Sequence, residues 1–383
     1  KATAGMRILN TTRREQVLNF IKNSFDNSSI NPFFFDTTFA IIASGEEEAT
    51  FDWLGVNYIM DTLVNTDADE GTYGALDLGG QSTQIAFAAE PGSNILAEFT
   101  GVRLWETTHR LYTHSFLQYG TNAIRDRVAQ IAYNEWRDNN RSANMTNPCL
   151  NVGVNETYTV DLYGNGSYGE VTQFGNSGED LSKCLKTVRK LFANGTACYV
   201  ANCAFNGVYL AQIPANMTFY GFSAFGYTVN GLNLSENTDL GPLFNDVGLE
   251  ICNMSLDQLR QSKYANKQSI GYLNTYCRQI TYMYVLLHEG YGFSLTNTPI
   301  IFTNNARNQT ITWTQGSILR DSNWLPYAVD YASDSDGLTQ MGEIWRGVAI
   351  TFMSVAVILC VALCYAVYRV QKGRPVDYKT MGM

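Results

Sequence analysis

GALDLGGQSTQIAFA, residues 74–88, places a carboxylate and two adjacent glycines between two short apolar runs. Residues 75–78 are predicted to form a strand, Gly79 and Gly80 a turn, and residues 85–88 the returning strand. Glycine amides can approach an anionic ligand closely, and Asp77 at the strand end can hold a metal ion or its water shell. The stretch therefore predicts a phosphate-binding hairpin, with an ordinary surface hairpin as the alternative.

Composition limits the classes of partner. The chain has 383 residues, which is enough for two domains of ordinary size. Its hydrophobic content is 45% and its net charge is −9. It has three histidines, and no run of Lys or Arg occurs in its first 340 residues. This composition argues against a nucleic-acid-binding surface. An anionic substrate would therefore need glycine amides or a divalent cation.

Residues 347–368 form a membrane-spanning candidate. These 22 residues carry no charge, and at about 1.5 Å per residue they can cross a hydrocarbon core of roughly 30 Å. Basic residues follow in the tail 369–383, so the positive-inside rule puts the tail in the cytosol and the preceding chain outside. A buried core helix is the alternative. We therefore expect an extracellular or lumenal ectodomain at the plasma membrane, with endosome, lysosome and Golgi as other compartments.

Glycosylation signals support that topology, because N-x-Ser/Thr sequons mark exported surfaces. The sequons begin at Asn10, Asn27, Asn140, Asn144, Asn155, Asn165, Asn194, Asn216, Asn233, Asn253 and Asn308. The chain opens at Lys1 without a Met or a signal peptide. We therefore expect it to be a fragment whose export signal lies upstream.

Six of the eight cysteines lie outside the membrane-spanning candidate, an even number that suits an oxidising compartment. Spacing favours three disulfides among the fifteen pairings that six cysteines allow. The favoured pairs are Cys149 with Cys184, Cys198 with Cys203, and Cys252 with Cys277. A zinc site is the competing use, but no Cys-x-x-Cys spacing occurs among the six.

Local signals predict several further elements. Ser44 and Glu47 fit a capping box, which puts Glu46, Glu47 and Glu48 in the first turn of a helix. The helix dipole favours acidic residues there without any catalytic role. Residues 39–43 are predicted to form a short buried strand.

Three longer segments follow the hairpin. Residues 112–137 are predicted to be helical, and residues 139–178, rich in sequons and glycine, to form an exposed excursion. Five aromatic residues lie between positions 219 and 227. We interpret this cluster as core, with a base-stacking platform as the alternative.

Four blocks of sequence, in order, resemble signature regions of the ecto-nucleoside triphosphate diphosphohydrolases, the apyrase family of membrane-anchored nucleotidases. The blocks are ATAGMR (2–7), SGEEEATFDWLGVNY (44–58), DLGGQSTQ (77–84) and ITWTQGSIL (311–319). The resemblance implies an α/β fold of two actin-like, ribonuclease-H-like lobes, with nucleotide and divalent metal in the cleft between them. It also implies removal of terminal phosphates from nucleoside tri- and diphosphates, with Ca²⁺ or Mg²⁺ as the cofactor.

The family resemblance also implies catalytic roles. Glu48 matches the general base that activates the attacking water, and Ser82 and Gln84 match residues that hold this water. Asp77 matches a residue that orders the water shell of the metal. Phosphoryl transfer needs mainly positioning and charge neutralisation, which these residues and a cation can supply.

Substrate contacts are implied in the same way. Gly79, Gly80 and Thr3 match phosphate-binding positions, and Trp313 matches a residue near the metal. Tyr227 matches a residue that stacks on the base.

Several positions depart from the family pattern. Ala49 and Asp52 stand where the family usually has glycine, Gln81 where it usually has alanine, and Gln315 where it usually has leucine. Tyr272 stands where some members present an arginine to the base. We therefore expect a different base preference here, with two tyrosines forming an aromatic sandwich.

Two further expectations concern activity. The helix dipole is expected to lower the pKa of Glu48 and keep it ionised at neutral pH. The first signature region of the family, a phosphate loop that pairs with residues 77–84, would lie before Lys1. A polypeptide that starts at Lys1 is therefore expected to be nearly inactive.

The resemblance implies a division into lobes. Residues 1–43 and 303–340 would form an incomplete N-terminal-type lobe, and residues 44–302 the second lobe. The alternative function is a catalytically silent nucleotide-binding or adhesion ectodomain on the same scaffold, which would not need an ionised Glu48 beside a water-holding serine. A homo-oligomer is left open, and residues 378–381 fit a tyrosine-based sorting pattern.

Overall fold

The structure is a computed structural model. It describes residues 1–324 except 34, 64–70, 91, 106, 140–143, 177–180, 193–195, 201 and 267–270. Lys1–Leu325 forms one compact unit; the division into two lobes stays a prediction. The predicted membrane helix 347–368 and tail 369–383 lie outside the described residues. In the described part, no helix has both the length and the apolar character that a membrane span requires.

Helices and strands are distributed along the described chain as follows. The α-helices are α1 (Ala4–Arg7), α2 (Thr11–Asp26), α3 (Gly45–Met60), α4 (Thr121–Asp138), α5 (Leu181–Arg189), α6 (Ala224–Gly231), α7 (Leu240–Pro242), α8 (Leu249–Asn253), α9 (Leu256–Gln261), α10 (Tyr276–Tyr284) and α11 (Trp313–Trp324). Short 3₁₀ turns occur at Thr37–Phe39, Phe205–Gly207 and Leu273–Thr275, and π turns at Leu243–Gly248 and Val285–Gly290. The strands are β1 (Gly74–Leu78), β2 (Ser82–Ala88), β3 (Phe99–Leu104), β4 (Thr107–Leu117), β5 (Thr146–Asn147), β6 (Asn155–Asp161), β7 (Tyr168–Gly175), β8 (Phe219–Ser223), β9 (Ile300–Phe302), β10 (Asn305–Ala306) and β11 (Gln309–Thr310).

Six strands form the main sheet in the order β3-β4-β2-β1-β8-β9. The strands from β3 to β1 run antiparallel to their neighbours, whereas β8 lies parallel to both β1 and β9. The predicted hairpin is confirmed as β1 and β2, with Leu78 opposite Thr83. Its returning strand begins at Ser82, three residues earlier than predicted, because β4 extends the ladder to that residue. The fold is therefore a mixed α/β structure centred on this hairpin.

Successive side chains of the hairpin point to opposite faces of the sheet, so the two faces pack against different cores. Leu76 and Phe87 belong to a large core on one face. Ala75 and Ala86 point to the opposite face, where they pack in a second core with Trp53 of α3. Small alanine side chains let the helix lie close to the sheet, and every residue of β1 and β2 is buried. The polar residues of the hairpin are therefore enclosed beneath α3.

Helix α3 begins as its capping signal predicts. The Glu47 amide donates to Ser44 Oγ at 3.0 Å, and the Ser44 amide donates to the Glu47 carboxylate at 3.0 Å. The helix then packs against α11 at very close range, since a Cβ on Gly316 would lie 2.0 Å from the Phe51 carbonyl oxygen. Only glycine fits that crossing. The capping box thus sets the first turn of α3, which carries Glu48, at the edge of the hairpin.

The helix predicted over residues 112–137 is wrong in its first part. Residues 112–117 are the end of β4, and α4 begins only at Thr121. These residues pair with β2, with Ser115 opposite Gln84 and Phe116 opposite Thr83. The apolar spacing suits either structure over so short a stretch, so pairing with β2 decides it. The correction matters because it brings Ser115 to the hairpin.

The strand predicted over residues 39–43 is also wrong. Thr37–Phe39 is a 3₁₀ turn, and the only pairing of the stretch in the described residues is an isolated parallel bridge between Ala2 and Ile42. Phe39 is 52% exposed, and only Ala43 is fully buried. A ladder needs a neighbouring strand along its length, and a single bridge does not supply one.

The predicted exposed excursion, residues 139–178, contains structure of its own. Strands β5, β7 and β6 form a three-stranded sheet in that order. It packs against α4 through a third apolar cluster that includes Tyr133, Leu150, Tyr158 and Val160. The prediction of an exposed excursion is therefore wrong for the part of this region that packs against α4. The alternation of β6, where Tyr158 and Val160 are buried and their neighbours are not, explains how so polar a stretch supports a sheet.

The three predicted disulfides are confirmed. The structure contains the bonds Cys149–Cys184, Cys198–Cys203 and Cys252–Cys277. The first joins the start of the small sheet to α5 and is fully buried. It closes the longest interval of the three, with a sequence separation of 35.

Replacing Cys149 and Cys184 together by alanine is expected to lower the free energy of unfolding by about 4 kcal/mol, since the bond restricts the unfolded chain. Urea unfolding of the purified full-length protein measures this. The double alanine variant of Cys198 and Cys203 is the control, because its separation of 5 predicts a smaller loss of about 2 kcal/mol. A larger loss in the control would contradict the dependence on loop length.

Candidate active site

Three adjacent strands place a row of polar residues beneath α3. Asp77 of β1 lies opposite Gln84 of β2, and Gln84 lies opposite Ser115 of β4. Residues opposite each other in an antiparallel pair share a face of the sheet. Ser82, two residues before Gln84, lies on the same face. The row therefore faces the first turn of α3.

Glu48, in the first turn of α3, contacts this row of polar residues through its carboxylate. Its carboxylate is nearly enclosed, with the residue 5% exposed. Gln84 Nε2 donates to Glu48 Oε2 at 3.2 Å and to Ser82 Oγ at 2.6 Å. Arg7 Nη2 donates to the same Glu48 oxygen at 2.8 Å and lies 3.4 Å from Ser82 Oγ. The structure thus brings together all three residues predicted to be catalytic.

The pKa of Glu48 moves in the direction opposite to the one expected from the helix dipole. Burial raises its pKa above the usual value, and this effect exceeds the lowering by Arg7 and by a hydrogen bond from the Thr3 side chain. The expectation of a lowered pKa is therefore wrong. Its physical reason is that the sheet covers the first turn of α3, so desolvation outweighs the dipole.

Two more buried carboxyl groups lie within electrostatic reach of Glu48. Burial raises the pKa of Asp77 to about 7, with Glu48 adding to the rise and a hydrogen bond from Ser223 opposing it. Asp52 lies one helical turn after Glu48, and burial, Asp77 and Glu48 together raise its pKa well above the usual range. Among the described residues, these three carboxyl groups have one guanidinium near them, that of Arg7, which pairs with Glu48.

Several buried oxygens of the site have no hydrogen-bond partner among the described residues. They are Asp77 Oδ1, Gln84 Oε1 and both carboxyl oxygens of Asp52. Hard divalent cations take oxygen ligands and retain water molecules. Orphaned oxygens beside a surplus of carboxyl groups fit the water shell of such a cation. The residues present therefore fit the divalent metal that the sequence predicts.

Some backbone groups of the Gly79–Gly80 turn are already hydrogen-bonded within the protein, and others are not. The Gly79 amide donates to the Ser82 carbonyl at 3.0 Å, within the turn itself. The start of α4 donates back to the turn: the Thr121 amide to the Gly79 carbonyl and the Asn122 amide to the Gly80 carbonyl, both at 2.9 Å. Because Gly79 is engaged, the amide of Gly80 is the better placed of the two glycine donors for a phosphate.

A glycine outside the predicted set makes this turn possible. A Cβ on Gly120, at the start of α4, would lie 2.4 Å from the Gly80 carbonyl carbon. No side chain fits at such a distance. Gly120 therefore lets α4 begin directly against the turn, so the N-terminus of α4 supports the predicted phosphate site.

Thr3 and Trp313 occupy different surroundings. Thr3 precedes α1 and contributes the hydrogen bond to Glu48 described above. Trp313, at the start of α11, stacks on Phe51 with ring centroids 6.4 Å apart. Phe51 immediately precedes Asp52 on α3. The structure thus places Thr3 at the Glu48 carboxylate and Trp313 at the α3–α11 crossing.

The two predicted base-binding tyrosines line one cavity. This cavity measures about 750 Å³, and Tyr227 and Tyr272 are 67% and 63% exposed. Thr121 and Asn122, whose amides bind the glycine turn, belong to the same wall. The cavity therefore adjoins the turn.

Most of the aromatic cluster around residues 219–227 is core, as predicted. Phe219, Tyr220, Phe222 and Phe225 are buried. Tyr227 is the exception, because its position on α6 turns it out into the cavity. Core packing and a ring that lines the cavity therefore coexist in one short segment.

Sequence reasoning misses several polar contacts. Arg7 closes the quoted block 2–7, which is the only signal that could have indicated it. Ser115, whose Oγ accepts from Gln84 Nε2 at 2.9 Å, was hidden by the wrong helix prediction. Glu46, Glu98 and His114 also place one ligand atom each within 4.8 Å of one another. His114 Nδ1 lies 3.0 Å from a Glu98 carboxylate oxygen.

Fold and site together define a mixed α/β protein with a buried carboxylate beside a glycine turn and a cavity large enough for a small ligand. A family model for the GDA1/CD39 (nucleoside phosphatase) family matches residues 1–334. The chain belongs to this family, which confirms the resemblance given by its sequence blocks.

The sequences of curated relatives align with most of this chain. It is 32% identical to ectonucleoside triphosphate diphosphohydrolase 8 of Gallus gallus over 381 residues, which is 93% of this chain and 72% of that protein. It is 31% identical to ectonucleoside triphosphate diphosphohydrolase 3 of Mus musculus, over 94% of this chain and 69% of that protein. Among solved structures, nucleoside triphosphate hydrolases from Neospora caninum match with a TM-score of 0.52 and 16% identity, covering 84% of this chain and 72% of that one. The structural match supports the fold.

Proposed function

We propose that this protein hydrolyses the terminal phosphates of nucleoside tri- and diphosphates outside the cytosol, using a water that Glu48 activates. The observation that carries the proposal is the hydrogen-bonded group of Glu48, Gln84 and Ser82 beside the glycine turn. The names of the relatives, ectonucleoside triphosphate diphosphohydrolases, describe the same reaction class. A silent nucleotide-binding or adhesion ectodomain would not need a buried carboxylate in this group.

Each residue of the group has a role in the proposed reaction. Glu48 accepts a proton from water, and its raised pKa makes it a better acceptor near neutral pH. Ser82 and Gln84 hold that water in line with the terminal phosphorus atom, where position and charge neutralisation supply most of the catalysis. The Gly80 amide, Gly79 and Thr3 bind phosphate oxygens.

A divalent cation, Ca²⁺ or Mg²⁺, would supply positive charge at the phosphate oxygens. We propose that Asp77 holds its water shell through the unpartnered Oδ1 atom, with Trp313 nearby. Tyr227 and Tyr272 would hold the base by stacking, which tolerates any base.

The wider context of the protein is part of the same proposal. We infer two actin-like lobes that enclose the nucleotide and a membrane helix at residues 347–368 that leaves the ectodomain outside the cytosol. The apolar, uncharged composition of that segment supports the membrane helix. The confirmed disulfides support an oxidising compartment. A homo-oligomer is compatible with this arrangement.

Phosphate release by the purified full-length protein tests the proposal. The substrates are nucleoside tri-, di- and monophosphates, each with Ca²⁺, with Mg²⁺ or with EDTA. We expect release from tri- or diphosphates with a cation, none from monophosphates, and loss of release in EDTA. Release that is absent with every tri- and diphosphate, or unchanged in EDTA, would overturn the proposal.

A further inference from the structure

We propose that Asn144 carries an N-linked glycan whose first N-acetylglucosamine packs into a groove between α4 and α5. Residues 144–146 form one of the N-x-Ser/Thr sequons of the chain, and the structure adds a surface that this particular sugar would occupy. The inference rests on the part of the proposed function that puts the protein outside the cytosol, because sequons are modified in exported chains. It gives the glycan a structural role, separate from the cavity of Tyr227 and Tyr272.

The groove lies where α4, the start of the small sheet and α5 meet. It measures about 520 Å³, which is within the usual range for sites that hold small ligands. Trp136 lines it from α4, Lys183 and Lys186 line it from α5, and both Asn144 and Thr146 belong to its wall. The asparagine and the threonine of one sequon therefore share a single concave surface.

The sequon is held in a defined orientation. Met145 is buried in the third apolar cluster, whereas Asn144 and Thr146 on either side of it are exposed. Successive side chains of an extended chain point in opposite directions, so Asn144 and Thr146 project together. The Phe174 amide donates to the Met145 carbonyl at 2.9 Å, and Thr146 pairs with Phe174 in the small sheet. A sugar attached to Asn144 therefore starts from a fixed point on the wall of the groove.

The groove offers the two kinds of contact that N-acetylglucosamine can make. A pyranose ring has apolar C–H faces, and its edge carries hydroxyl groups and an acetamide. Trp136 presents a large, partly buried aromatic surface on which such an apolar face can pack. The ammonium groups of Lys183 and Lys186 are donors only, and hydroxyl and acetamide oxygens accept from them. The groove thus combines an aromatic wall with a donor wall.

Covalent attachment makes weak contacts sufficient. A group tethered beside its binding surface has an effective concentration in roughly the millimolar range, whereas a free sugar must reach that concentration in solution. The packed sugar would contact α4, the small sheet and α5 together. These elements are separated in the sequence and meet only in the folded protein, so the contact stabilises the folded state.

The first experiment measures whether the glycan at Asn144 is protected. The full-length protein is produced in a glycosylating host and treated, without denaturation, with peptide N-glycosidase, and mass spectrometry follows each sequon. The controls are Asn165 and Asn308, which are exposed in the β6–β7 and β10–β11 turns. We expect Asn144 to be modified and its glycan to be released about tenfold more slowly than theirs, which corresponds to about 1.4 kcal/mol of contact.

Trp136→Leu is expected to raise the release rate at Asn144 to that of the controls, because it removes the aromatic wall. Tyr168→Leu is the matched control, since Tyr168 is 70% exposed on β7 and outside the groove. It should leave the release rate at Asn144 unchanged.

The second experiment uses two substitutions of one residue and does not depend on the folding of Trp136→Leu. Thr146→Ala destroys the sequon, whereas Thr146→Ser keeps it, and both remove the methyl group of Thr146. We expect the Tm of Thr146→Ala to lie about 2 °C or more below that of Thr146→Ser. The same pair produced in a host that does not glycosylate should show equal Tm values.

The outcomes separate this inference from the proposed hydrolysis. If no sequon is modified, the location outside the cytosol is overturned together with the inference, whereas absence of phosphate release overturns the hydrolysis alone. An unmodified Asn144 among modified sequons, or release from Asn144 as fast as from the controls, overturns the inference. Slow release that persists in Trp136→Leu overturns the assignment to the groove, and equal Tm values of the two glycosylating-host Thr146 variants overturn the structural role.

Discussion

Replacing Glu48 by glutamine is expected to lower the rate of phosphate release about 100- to 10,000-fold, the range that a positioned general base contributes. Glutamine keeps the size of the side chain and can still accept from Gln84, but it cannot take a proton from water. The structure holds this carboxylate in place through Arg7 and Gln84, so the substitution removes basicity with little change of position. The measurement is kcat with saturating substrate and cation in the full-length protein.

Glu46→Gln is the matched control for this substitution. Glu46 lies in the same first turn of α3 and is exposed, so its replacement removes the same charge from the helix terminus. We expect its rate to stay within a few-fold of the wild type. A Glu48→Gln rate within a few-fold of the wild type would contradict the mechanism. If both variants lost the same rate of phosphate release, the effect would come from the charge at the helix terminus and not from a general base.

The elements that could be predicted depend on residues close together in the sequence. The capping box of Ser44 and Glu47 acts within one helical turn, and the turn at Gly79 and Gly80 acts within one hairpin. The disulfide Cys198–Cys203 closes a short interval. Such interactions form whatever the distant chain does, so local patterns indicate them reliably.

The wrong predictions depend on distant partners. Residues 112–117 become a strand because β2 lies beside them, and residues 39–43 do not because only one bridge is made there. The pKa of Glu48 rises because the sheet excludes water from a helix terminus that local sequence shows as exposed. Pairing and burial are properties of the assembled fold, which short-range patterns do not contain.

In the candidate site, too, some features follow from local sequence and others depend on distant parts of the chain. Its motif residues could be named from the family resemblance, but the contacts that join them span long intervals. Arg7 reaches Glu48 across 41 residues, and Gln84 reaches Ser115 across 31. Within the described residues, Arg7 pairs with Glu48, whereas the electrostatic influences on Asp52 and Asp77 include other carboxyl groups and no cation. That imbalance is the physical reason why the site fits a divalent cation.

Asp77 is expected to make the protein less stable as pH rises in metal-free buffer. Burial raises its pKa from 3.8 to about 7. Between these values the unfolded chain has released a proton that the folded chain still holds, so stability falls with rising pH. At about 1.4 kcal/mol for each pH unit, the free energy of unfolding should fall by roughly 4 kcal/mol from pH 4 to pH 7. Urea unfolding of the full-length protein in EDTA at pH 4.5 and 7.5 measures this fall.

Comparison with Asp77→Asn isolates the contribution of Asp77, because the amide does not titrate. The variant should lose that part of the fall and keep the part that comes from Glu48 and Asp52, whose pKa values burial also raises. Asp161→Asn is the control: backbone amides lower the pKa of the partly exposed Asp161, so it is ionised in both states over this range and its removal should leave the fall unchanged. Millimolar Ca²⁺ or Mg²⁺ should reduce the fall in the wild type, since a cation that binds only the folded protein stabilises it. Equal falls in the wild type and in Asp77→Asn would mean that folded Asp77 is already ionised at low pH. The unpartnered Oδ1 would then be satisfied without a metal, and the case for a cation at this carboxylate would be lost.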